Sequence, residues 1–156
     1  MAFLAALIVG LVLAFAPGAR QPSPLEAVRK LAFATPLPEF IRTADDPRRD
    51  QRLVWDTDGC SAPVVGNAGK TYDFTDACRR HDFGYRNLKR IDGGKHWNET
   101  VRERVDRVFL ADMRRDCAAR PTVQRATCRS WANVYFAAVR NFSGSLAGRL
   151  FSRCTR

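Results

Sequence analysis

The sequence predicts an all-α fold, a small disulfide-bonded helical domain in which two long antiparallel helices carry the candidate site. Three observations predict it. Apolar residues recur at intervals of three and four along separate segments, no run shows the alternation of a convincing strand, and all five cysteines lie downstream of an apolar leader.

Met1 to Ala16 is uncharged and apolar, too short for a comfortable membrane span, and ends in an Ala14-Phe15-Ala16 cleavage-like triplet. Residues 1–19 are therefore read as a secretory signal and its cleavage region, and the rest as secreted. No positive charge precedes the apolar run, so an uncleaved N-terminal anchor stays open as the alternative. About 135 to 140 residues remain, the size of one domain with a real core. The formal net charge of +10 belongs to that part, because Arg20 is the first basic residue. Such a charge favours anionic partners, a phospholipid surface or nucleic acid, although solubility alone also accounts for it. No recognition motif accompanies the basic residues, so no nucleic-acid partner is expected.

Residues 20–52 form an N-terminal helical segment and connector. Ser23, Pro24 and Glu26 occupy N-cap, first-turn and capping-box positions, and Leu25, Val28, Leu31 and Ala32 give the helix an apolar stripe. Pro36 and Pro38 end it before a further short helix over Glu39 to Ala44. The charged connector Asp45 to Arg52 leads to Trp55-Asp56-Thr57-Asp58-Gly59-Cys60 and a glycine-bearing loop to Tyr72.

The central helix runs from Phe74 to Leu88, with Thr75 as its N-cap and Asp76 at the positive end of the helix dipole. Ala77, Cys78, His81, Tyr85 and Leu88 fall within one arc of roughly 100°, so His81 points inward and Asp82 lies just outside that face. Gly84 hints at another backbone packed close. Asp92-Gly93-Gly94 marks a turn, and a second long helix follows from about Glu99 to Cys117, with Val101, Val105, Val108, Phe109 and Met113 as its stripe. Asp106 projects on the buried side. A carboxylate there needs a buried donor, which is His81 or an arginine. Cys117 to Cys128 encloses a short loop with Pro121, and Trp131, Val134, Tyr135, Ala138 and Phe142 mark a third helix. Residues 143–156 are a basic C-terminal tail.

Four of the cysteines alone allow three connectivities, and one of the five must be left over. Were Cys60 bridged to Cys78, Asp58 and Gly59 would sit beside the turn carrying His81 and Asp82. Carboxylates and a loop carbonyl would then offer the hard oxygen ligands that Ca2+ prefers. His81 beside that ion could take a proton from water while Asp106 held its imidazole, and the ion would polarise an ester carbonyl. A zinc site from Cys60, Cys78 and His81 is the poorer alternative, since the spacing fits no common finger.

Cys78-Arg79-Arg80-His81-Asp82-Phe83-Gly84-Tyr85-Arg86-Asn87, with Thr57-Asp58-Gly59-Cys60 upstream and Val105-Asp106 and Asp112-Met113 downstream, resembles the secreted phospholipase A2 family, specifically its small prokaryotic and fungal branch. The resemblance covers residues 53–142, a phospholipase A2-like catalytic core. It implies calcium-dependent hydrolysis of the sn-2 ester of glycerophospholipids, releasing fatty acid and lysophospholipid. By that resemblance His81 is the general base and Asp106 its partner. Asp58, the main-chain oxygen of Gly59, and Asp82 would bind Ca2+, with bridges Cys60–Cys78 and Cys117–Cys128. The implied partner is a phospholipid membrane or micelle surface, anionic by the charge above. A monomer is expected, with a Cys154-linked dimer left open. The rival reading is a catalytically silent cationic membrane-binding or toxin-like protein on the same scaffold. Gly59 stands where the family usually has a larger residue, and the turn around Asp92 to Asn98 is somewhat extended.

Overall fold

The computed structural model describes residues 20–59 and 72–142. The predicted leader, Cys60, Cys154 and the basic tail lie outside the described residues. Every regular element within them is helical: α1 (Pro24–Phe33), α2 (Leu37–Asp45), α3 (Thr75–Arg90), a 3-10 turn (Ile91–Gly94), α4 (Glu99–Ala119) and α5 (Thr122–Phe142).

Local chemistry sets the helix ends. At α1 the Ser23 hydroxyl accepts from Glu26 N at 3.2 Å, and the Glu26 carboxylate accepts from Ser23 N at 2.8 Å, closing the expected capping box. Pro36 then caps α2, which buries Phe40 edge-on against Phe83 with ring centroids 5.3 Å apart. The expected cap of α3 is displaced by one residue. Phe74 occupies the cap position without a side-chain bond, and Thr75 is the first helical residue, its N–H donating to Asp73 Oδ1 at 2.9 Å. Asp73 thus supplies the acceptor that the Thr75 hydroxyl was expected to give.

Three consecutive left-handed residues, Asp92, Gly93 and Gly94, reverse the chain after α3. A side chain at position 94 would be 3.0 Å from the Lys89 carbonyl as well as strained, which explains glycine there. The reversal makes α3 and α4 antiparallel, so that Arg80 meets Asp112 while Gly84 meets Val105. What approaches Gly84 is the Val105 side chain, 3.1 Å from an added Cβ, rather than a backbone. Arg80 and Asp112 form a buried ion pair, and Arg115 reaches Asp112 at 2.9 Å.

Helix α5 begins earlier than expected. Most of the Cys117 to Cys128 stretch is helical, and only Arg120 and Pro121 break it. Residues 122–127 are exposed on all sides, so the first turns of α5 carry no apolar period to read. The buried face is largely the expected one: Trp131, Tyr135 and Ala138 face the core together with Cys128, Ala132 and Val139, whereas Val134 is 46% exposed. The Cys117–Cys128 disulfide, with Cα atoms 5.5 Å apart, ties α5 to the end of α4.

The apolar interior falls into two clusters. One gathers Val28, Phe40, Phe83, Tyr85, Leu88 and Val105, and the other Phe74, Cys78, Phe109, Met113, Cys117 and Cys128. His81 lies where they meet, its ring 4.6 Å from that of Tyr85 and 4.8 Å from that of Phe109.

Candidate active site

The inward arc of α3 and the buried side of α4 bring His81 and Asp106 together. His81 Nε2 lies 2.8 Å from Asp106 Oδ1, with His81 9% exposed and Asp106 fully buried. Both donor types expected for that carboxylate are present. Tyr85 donates its hydroxyl to Oδ1 at 3.0 Å, and Arg140 of α5 donates to Oδ2 at 3.1 Å. Burial would raise the Asp106 pKa, but the donors, His81 first, hold it below the usual carboxylate range. An ionised Asp106 only accepts, so neutral His81 carries its proton on Nε2 and leaves Nδ1 as a lone-pair acceptor. Nδ1 faces the side of Asp82, 3.9 Å from its Oδ1.

Asp82, one residue on, leaves the inward face as its position on the helix dictates. Its Oδ2 accepts from Thr57 Oγ1 at 2.5 Å, Asp58 N at 3.1 Å and Gly59 N at 3.3 Å. Residues 57–59 are thereby wrapped over one carboxylate oxygen. Burial works against ionisation of Asp82, yet His81 and Thr57 outweigh it and lower its pKa. Asp58 is shifted the other way, by partial loss of hydration and by the Asp82 charge beside it, with Arg86 opposing from 3.2 Å. The Asp58 side chain keeps 62% of its exposure, so the neighbouring charge is the cause to weigh most.

The segment bearing Asp58 is held by hydrogen bonds and ring packing. Asn87 is fully buried and bonds Val54 through both ends of its amide, while Trp55 packs on Phe83 at 4.7 Å and donates Nε1 to Asp50 O. Cys78 is itself disulfide-bonded, which removes it as a zinc thiolate. The expected partner Cys60 lies outside the described residues.

The donor chemistry fits Ca2+. Asp58 and Asp82, two carboxylates of like charge, are held side by side, with the His81 imidazole beside Asp82. Gly59 has φ of 65° and open space around its Cα, so the backbone there takes a turn that glycine adopts without strain. An ion on Asp58 would have to displace the pairing of that carboxylate with Arg86.

The structure brings the expected His81, Asp106, Asp82, Asp58 and Gly59 into one region and adds the contacts of Arg140, Asn87 and Arg86, which the sequence did not announce. Asn87 carried a signal, since it falls on the buried side of α3, where an amide must find partners. Arg140 carried none, because an arginine near the end of α5 stands outside the apolar period of that helix.

Comparison with known proteins bears on what this arrangement is for. The family model for prokaryotic phospholipase A2 matches residues 28–143. A secretory phospholipase A2 of Beauveria bassiana (strain ARSEF 2860) is 36% identical over 112 residues, 72% of this chain and 55% of that protein. A secretory phospholipase A2 of Arthroderma benhamiae (strain ATCC MYA-4681 / CBS 112371) is 36% identical over 89 residues, 55% of this chain and 57% of that protein. The chain thus spans little more than half the length of these curated relatives.

Proposed function

Since this chain belongs to the prokaryotic phospholipase A2 family, we propose that it is a secreted phospholipase A2 that hydrolyses the sn-2 ester of glycerophospholipids with Ca2+ as cofactor. The observation that carries this is the two-sided setting of His81, with Asp106 2.8 Å from Nε2 and the Asp82 carboxylate on the side of Nδ1.

In this reading Nδ1 of His81 takes a proton from the attacking water as its oxygen adds to the ester carbonyl. Asp106 holds the Nε2–H, fixes the tautomer and stabilises the imidazolium that forms. The imidazolium then returns the proton to the leaving glycerol oxygen as the tetrahedral intermediate collapses to fatty acid and lysophospholipid. Asp58, the Gly59 carbonyl and Asp82 would hold Ca2+, which when bound supplies positive charge for the ester oxygen. Phe109 and Tyr85 flank the imidazole and keep bulk water from its Asp106 side.

The charge of +10 favours an anionic phospholipid surface as the working partner. The protein works as a monomer, and a Cys154-linked dimer is the alternative state. The intact pairing of His81 with Asp106 weighs against a silent scaffold that only binds membranes.

Release of fatty acid from phospholipid vesicles tests the reading. Wild-type protein should release it with Ca2+ and stop on addition of a chelator. Folded protein that binds vesicles but releases nothing at any Ca2+ concentration would overturn the proposal and favour the silent scaffold.

A further inference from the structure

Asp106 is the most enclosed charge at the site, and its two oxygens are served differently. Oδ1 takes His81 Nε2 and the Tyr85 hydroxyl. Oδ2 takes Arg140, the sole cationic partner of that carboxylate among the described residues apart from His81 itself. A carboxylate held by one oxygen can still rotate about its Cβ–Cγ bond. One held at both has a fixed plane, and here that plane aims Oδ1 at the imidazole. Tyr85 and neutral His81 are uncharged donors, so among the described residues Arg140 is the permanent cation hydrogen-bonded to the buried Asp106.

The reach of Arg140 is itself prepared. Its Nη2 lies 2.8 Å from Glu99 Oε1, and Arg102 donates to the Arg140 carbonyl at 3.3 and 3.4 Å. Arg102 also pairs with Glu99 at 2.8 Å. The opposite end of α5 is fixed to α4 by the Cys117–Cys128 bridge. The Glu99 carboxylate is 63% exposed, and an ion pair there adds little stability by itself. Such an arrangement is poorly explained as a stabilising surface contact, and better as a means of holding one guanidinium against a buried carboxylate.

We propose that Arg140 is a positioning residue for the hydrolysis, acting through Asp106 on the orientation of His81, an inference that rests on the phospholipase reading. Its partners are Asp106, Glu99 and, through its carbonyl, Arg102, and it reaches His81 only by way of Asp106. Its loss should therefore lower kcat and leave KM for lipid unchanged.

Arg140→Met keeps the apolar stem and removes the charge, whereas Arg140→Lys restores a cation without the planar fork. Steady-state kinetics should give Arg140→Met a kcat about tenfold lower at unchanged KM, the loss expected for one charge-assisted hydrogen bond at a buried acid. Arg140→Lys should recover most of it. Proton NMR supplies a readout independent of turnover, because the His81 Nε2–H, identified by its disappearance in His81→Ala, reports the bond to Asp106. That signal should broaden or vanish in Arg140→Met and return in Arg140→Lys. Wild-type kcat in folded Arg140→Met overturns the proposal, as does an equal loss in Arg140→Met and Arg140→Lys. If the wild type itself releases no fatty acid, the phospholipase reading fails first. The resonance then decides alone: an unchanged Nε2–H in Arg140→Met refutes the positioning role, and its loss with rescue by lysine supports it.

Discussion

Asn87 grips Val54 across thirty-three residues of sequence, accepting from its N–H at 2.8 Å and donating to its carbonyl at 2.7 Å. A third bond, to Phe83 O at 2.9 Å, keeps the amide aligned on α3. The pairing imitates one rung of a sheet inside an all-helical protein, and it sets where the chain runs toward Thr57, Asp58 and Gly59. Asn87→Ala should cost about 2 to 4 kcal/mol, for three bonds lost in a fully buried position. Asn87→Asp should do no better, since it replaces a donor by a buried charge. Urea melts of the three proteins check this. Wild-type stability in both variants would show that the clamp is idle.

His81→Ala should reduce kcat by at least about 10² to 10⁴-fold, the contribution typical of general-base catalysis, with the helical signal retained. Asp106→Asn should lose less, because an amide still bonds the ring. The double variant should fall little below His81→Ala alone, since the residues act as a unit. Independent, multiplying losses would separate the pair.

Burial by itself would lower the His81 pKa, but the carboxylates of Asp106 and Asp82 outweigh it and raise it above the ordinary histidine value. In calcium-free protein the imidazolium should therefore persist above about pH 6.5. Because a base must be neutral, activity should rise with pH as that proton leaves. A bound Ca2+ adds positive charge beside Asp82, so loading the protein should move the titration downward. NMR titration of the imidazole with and without Ca2+ checks both signs. A midpoint that does not move on loading would place the ion elsewhere.

Asp58 Oδ2 is 3.2 Å from Arg86 Nη2, so a Ca2+ ion bound as proposed would compete with Arg86 for that carboxylate. Arg86→Gln should tighten Ca2+ binding measured by calorimetry, while Asp58→Asn and Asp82→Asn should weaken it. The starting affinity should be modest, about 0.1 to 1 mM, as in sites with few protein carboxylates. Unaltered affinity in all three variants would remove these residues from the site.

Recruitment to lipid should depend on charge, at about 1 kcal/mol for each Lys or Arg near the surface. Vesicle binding should be stronger for anionic than for neutral lipid and weaken as salt is raised. Equal binding to both at low salt would sink the idea.

The helical fold and the inward pair of His81 and Asp106 were legible because both depend on spacing within single helices. Apolar periodicity turns His81 inward and leaves Asp82 at the rim. Asp106, on the buried side of the next helix, must find a donor, and the structure supplies His81, Tyr85 and Arg140 together. What escaped was set by contacts between distant segments. The exposed opening turns of α5 concealed its start, and nothing in the periodicity of that helix shows that Arg140 reaches Asp106. The loop carrying Asp58 was expected to be pinned by Cys60, whereas Asn87, Trp55 and the Asp82 carboxylate hold its described part, through hydrogen bonds that no periodicity announces.

His81 rests against Tyr85 of one apolar cluster and Phe109 of the other. The reactive ring is thus a keystone between two halves that need not soften together. The Cys117–Cys128 bridge lies in the half that holds Phe109, and so does the disulfide-bonded Cys78. A reductant or mild denaturant that relaxes this half would leave α1, α2 and much of α3 in place while the imidazole lost one of its walls. Inactivation should therefore precede the loss of helix, and an oxidising milieu would protect turnover more than it protects the fold.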